Sequence, residues 1–99
     1  MTVTVTKVLN EYPLQVEAVA LQRVSADVER QIGVYRNIVA GFEEQHGCSL
    51  EEFENKIERG EVPEHPSWET SIEWGVASDE LQKLQVIQKG LQWILNFLS

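Results

Sequence analysis

Apolar side chains recur every seven positions through the first half of the chain, at Leu14, Leu21, Val28, Tyr35 and Phe42. Val24 and Ile38 add an intervening position, and Ala18, Ile32 and Val39 widen the stripe. This is the period of a helix that buries one face along its length. Pro13 suits a first helical turn, where a missing N–H costs nothing, and Gly47 is a natural stop. The pattern predicts one helix over residues 13–46, with Glu17 and Gln31 as polar exceptions in its seam. Gly33 and Gly41 weaken its interior by about 1 kcal/mol each relative to alanine.

Ser49-Leu50-Glu51-Glu52 is a capping box, in which Ser49 and Glu52 are expected to satisfy each other's backbone donors. It opens a short helix over 49–59 with Leu50, Phe53 and Ile57 on one face, ended by Gly60. The following EVPEHP holds Pro63 and Pro66 and reads as an extended connection. Ser67 is then the expected N-cap of a last helix over 67–98. Its stripe runs Ile72, Val76, Leu84, Ile87, Leu91, Ile94 and Leu98, flanked by Ala77, Leu81 and Leu95. Two long helices of similar length around a short capped one predict an all-α fold, a long antiparallel helical hairpin forming a single domain over 1–99.

Two features do not fit a bare hairpin. Val86, Gly90, Trp93 and Phe97 form a second apolar row on the last helix, which calls for cover by the N-terminal segment or by another chain. Val86, Trp93 and Phe97 are therefore the expected interface of a homodimer or larger assembly. The second feature is TVTVTKV at residues 2–8, which alternates polar and β-branched residues as a short strand does. It predicts an extended N-terminal arm over 1–12. An arm of this kind reads DNA in ribbon-helix-helix dimers, through alternate residues such as Thr2, Thr4 and Thr6. That fold follows its strand with short helices, whereas a long one follows here.

Charge changes the picture more than composition does. The chain is 42% hydrophobic and 24% charged, an ordinary globular balance, with a net charge of −8. Residues 1–42 are neutral, residues 43–80 carry twelve acids against Lys56 and Arg59, and residues 81–99 carry Lys83 and Lys89 with no acid. So acidic a middle segment repels phosphate backbones and attracts basic surfaces, which favours a basic protein partner over nucleic acid. No apolar run approaches the roughly 20 residues of a membrane span, so no membrane partner is expected. A start without a basic, apolar leader and a single cysteine, Cys48, point to a cytoplasmic protein.

Candidate chemistry is sparse. His46, Cys48 and His65 match no ligand spacing for zinc, so no metal or cofactor is expected. The glutamates lack the burial or close pairing that separates acid from base, and there is no Gly-rich phosphate loop. The chain reads as non-enzymatic. Trp68 and Trp74 frame the start of the last helix. Trp68 is expected against Phe53 and Ile57, and either tryptophan left exposed would anchor a partner. The candidate partner-binding residues are Glu51, Glu52, Glu54, Glu58, Glu61, Glu64, Trp68 and Trp74.

The run Gly47-Cys48-Ser49-Leu50-Glu51-Glu52-Phe53, then Arg59-Gly60-Glu61, His65-Pro66-Ser67-Trp68-Glu69 and Glu73-Trp74, resembles a group of small prokaryotic helical-hairpin proteins of antitoxin-like type. The resemblance covers residues 14–80 and leaves out the TVTVT start. It implies a protein–protein interaction module that masks a basic partner, such as a ribonuclease-type toxin, through its acidic surface. The alternatives are a structural self-assembling protein and a DNA-binding dimer that uses the N-terminal strand.

Overall fold

A computed structural model describes residues 14–98, with side chains from Glu17 onward. The extended arm expected over residues 1–12, Pro13 and the Leu14 side chain lie outside what is described. Three helices follow in order: α1 Leu14–His46, α2 Leu50–Glu58 and α3 Glu64–Leu98. No strand occurs among the described residues. Among the described residues all regular structure is helical, and the two long helices pack together with the short one between them in sequence, as the expected hairpin requires.

The contacts fall into two compact units, one holding the described residues up to Gln31 with those from Leu84 onward, the other Ile32–Lys83. In the first, Val28 and Leu84 are buried beside a polar layer. Ser25 is itself buried, donates from Oγ to Gln88 Oε1 at 3.3 Å, and accepts from Gln92 Nε2 at 2.8 Å. Gln88 Nε2 donates to the Ser25 carbonyl at 3.3 Å and to Glu29 at 3.0 Å. Advancing one turn on α1, from Ser25 to Glu29, moves the partner back from Gln92 to Gln88, so the two segments run antiparallel. These bonds form in one register only, and a slipped pairing would leave buried Ser25 without its partners.

In the second unit all three helices meet on aromatic rings. Trp74 of α3, only 1% exposed, stacks on Phe42 of α1 at a centroid distance of 5.5 Å and contacts Phe53 of α2 at 5.5 Å. His46 of α1 lies 4.5 Å from Phe53 and 5.8 Å from Trp74. Its Nε2 is buried with no hydrogen-bond partner. Ile32 and Ala77 complete the buried apolar set.

The links between helices are local. Gly47 adopts φ 69° and Gly60 φ 72°, the left-handed conformation that ends a helix without penalty only at glycine. At the end of α2 the Gly60 N–H donates to the Ile57 carbonyl at 3.1 Å and the Glu61 N–H to that of Lys56 at 2.9 Å. This pair of bonds satisfies two otherwise orphaned carbonyls.

The expected seam residues Leu21, Val28 and Ile32 of α1 and Ala77, Leu81, Leu84 and Leu91 of α3 do face inward, and the structure corrects other positions. Val24 and Ile38 are 48% and 41% exposed, and the interior of α1 is taken by Ser25, Val28 and Ile32, in continuation of Leu21. On α3, Ile72, Val76, Ile87 and Ile94 are exposed, while Trp74, Ala77, Leu81, Leu84, Gln88 and Leu91 face inward. The expected polar exceptions, Glu17 and Gln31, are surface residues. The start of α3 also differs. Its dihedrals break at His65 (φ −113°, ψ 130°), the extended conformation imposed on a residue before proline. The regular run therefore starts at Pro66, and Ser67 is a buried first-turn residue rather than the cap.

Ser25→Ala is expected to cost about 1 kcal/mol, because Gln88 and Gln92 lose a shared partner but keep access to water. The paired change Ser25→Leu with Gln88→Leu should instead stabilise. Urea unfolding of the two variants checks this, and equal loss from both would remove the polar layer as a register device. His46→Phe, which deletes the unpartnered nitrogen and keeps the ring, should raise stability by about 1 kcal/mol.

Candidate protein-binding groove

The acidic connector is organised by one arginine. Ser49 caps α2 as expected, its Oγ accepting from the Glu52 N–H at 3.2 Å. The reciprocal half of the capping box is replaced: the Glu52 carboxylate takes a 2.8 Å bond from Arg59 Nη2. Arg59 Nε donates to Glu61 Oε2 at 2.6 Å, so one guanidinium joins both ends of the helix. Bonding and charge from Arg59 hold the Glu52 carboxyl below its ordinary range, and Glu52 and Glu61 raise Arg59 in turn. These groups lie at the surface, where such pairs organise more than they stabilise.

Two shallow cavities flank Trp68. One, of about 230 Å³, is lined by Ile57, Glu64, His65 and Trp68. The other, of about 290 Å³, is lined by Glu54, Ile57, Glu58, Trp68 and Ser71. Trp68 itself is 58% exposed. It stands edge-on to the His65 ring at 6.5 Å. His65 Nδ1 lies 2.7 Å from Glu69 Oε1. A bond from its own backbone N–H, then the one from His65, lowers the Glu69 carboxyl from its ordinary value. The arrangement is an exposed indole on an apolar floor with carboxylates on either side. It can receive a cationic side chain, through the ring face and the flanking charges together.

The sequence-predicted site residues separate into three groups. Trp68 with Glu54, Glu58 and Glu64 surrounds the groove. Glu52 and Glu61 are engaged by Arg59, and Glu51 is an exposed first-turn residue of α2. Trp74 is buried and cannot reach a partner. It occupies the place against Phe53 that had been expected of Trp68. Ile57, His65 and Ser71 line the groove and were not anticipated as such. The sequence spacing of His65 from Trp68 and Glu69, three and four residues, is the signal that could have found His65. Among the described residues, no three His, Cys, Asp or Glu side chains gather as metal ligands, and no helix is long and apolar enough to cross a membrane. Comparison with protein-family models, curated proteins and solved structures finds no match for this chain.

The lowered carboxyls set a pH dependence with a definite sign. A glutamate depressed in the folded chain stabilises it above the ordinary value of 4.5 and stops doing so as pH falls through the lowered value. The Arg59 knot and the His65–Glu69 pair should therefore loosen in acid below that point. Titration of the side-chain carboxyls by NMR is expected to show Glu52 and Glu69 below 4.5. Arg59→Ala should return Glu52 to the ordinary range and leave Glu69 unmoved.

Proposed function

We propose that this chain works without catalysis, by binding and covering a basic protein surface. The observation that carries the reading is Trp68, a large aromatic left exposed between two cavities whose rims bear Glu54, Glu58 and Glu64. Trp is prominent among residues that anchor interfaces, and acid around an apolar anchor steers and orients a cationic partner. The unit of Ile32–Lys83 carries twelve of the sixteen acids, which concentrates that field around the groove. The mechanism is occlusion. A lysine or arginine of the partner enters beside Trp68, and the acidic surface covers the basic cleft around it. An antitoxin-like role toward a ribonuclease-type toxin is the biological form of this reading, supported by the resemblance of the connector.

The test is titration of the basic protein that copurifies from the native host. Trp68→Ala is expected to weaken binding by about 2 kcal/mol or more, roughly thirtyfold. Reversal of Glu54, Glu58 and Glu64 to lysine should slow association and flatten its salt dependence. Affinity and salt dependence unchanged by that reversal would falsify the groove as the interface.

A further inference from the structure

Beyond the groove, the unit formed by the beginning of α1 and the end of α3 carries a second apolar face. Its interior uses Leu84, Gln88, Leu91, Leu95 and Leu98 of α3. Val86, Gly90, Trp93 and Phe97 lie about 150° round the same helix from that seam, at 100° per residue. Val86 is 66% exposed, Trp93 70% and Phe97 44%, and Gly90 is also exposed. The two rings stack on each other at 6.0 Å with 14° between planes. Ile87 and Ile94, 42% and 39% exposed, widen the face on one side. These residues form one contiguous row and are not scattered singly.

The spacing is four, three, four, the period that keeps a row in contact with a second helix along its length. We infer that this face pairs with the same face of a second copy, α3 against α3 in antiparallel orientation. The register that brings Trp93 over Gly90 of the second copy also brings Phe97 over its Val86. Large residues then meet small ones at every step, and the twofold axis repeats each contact. A Cβ built on Gly90 meets nothing within 4 Å, so the notch that receives the indole is open. A parallel pairing sets glycine against glycine and tryptophan against tryptophan, leaving a void beside a clash.

Charge separates this face from the groove. Residues 81–98 carry Lys83 and Lys89 and no acid, so the face has nothing to attract the basic partner proposed for the groove. In the antiparallel register Lys89 falls opposite Ile94 and not opposite its own copy, so like charges are not forced together. Two partly exposed rings offer a few hundred Å² at most. Stable complexes bury about 800 Å² per partner, so the dimer is concentration-dependent and not obligate.

Sedimentation equilibrium of the full chain over a range of concentrations is expected to show a reversible dimer. Gly90→Leu fills the notch and should leave a monomer at every concentration. Its thermal stability should hold or rise, because leucine is the better helix former, which separates lost pairing from lost folding. In a Cys48→Ser background, a mixture of Val86→Cys and Phe97→Cys chains should cross-link under oxidation, and neither alone should. A dimer that survives Gly90→Leu, or Val86→Cys chains that cross-link to one another, overturns the register. A wild-type monomer whose Trp93 emission shifts red on removal of residues 1–12 overturns the second copy as occupant in favour of the N-terminal segment.

Discussion

The Trp74 indole is a buried surface on which all three helices meet. It stacks on Phe42 of α1, meets Phe53 of α2 and lies against the His46 ring just before the first turn of the connector. An aromatic of this size contributes more buried area than any other residue type, so its placement decides how α2 sits between its neighbours. It also decides the site. Trp68 precedes Trp74 by six residues, which is about 120° round a helix at 100° per residue. With Trp74 turned fully inward, Trp68 is turned away from the core. The exposed anchor is thus a consequence of the buried one, and both follow from a six-residue spacing.

Parts of the architecture that depend on neighbours in sequence were legible. Gly47 and Gly60 mark the two helix ends they were expected to mark, and Ser49 caps α2 through the Glu52 N–H. Parts that depend on contacts across the fold were not. Glu52 bonds to Arg59 seven residues away, and that bond displaces the reciprocal half of the capping box. One position in the seam of α1 was misassigned for a related reason. Counting apolar residues favours Val24 over Ser25. Yet Ser25 is the residue inside, because Gln88 and Gln92 arrive from α3 to bond it. A polar residue in a seam is penalised by any hydrophobic count until its partner is known.

The acidic field was legible in the sequence and the geometry of the groove was not. The run of acids from Glu43 to Glu80 fixes the sign of the charge, but it cannot say which carboxylates are available. Arg59 occupies Glu52 and Glu61, and His65 faces Glu69. Glu54, Glu58 and Glu64 are left around Trp68 and Ile57. Ile57 had been assigned to the buried face of α2, and it does share that face with Phe53. Its partial exposure at the end of a short helix makes it the floor of the groove instead.

The exposed apolar residues then fall into two kinds. Those beside a seam, such as Val24 and Ile38, are exposed singly, and isolated apolar surface of this kind is common on folded proteins. The face around Trp93 differs because it repeats in step with the helix and alternates large with small. The helix thus shows two apolar faces of the same period, one turned to its own chain and one exposed. The first is held by hydrogen bonds through its Gln88 layer, and the second sets Gly90 among the side chains of Val86, Trp93 and Phe97.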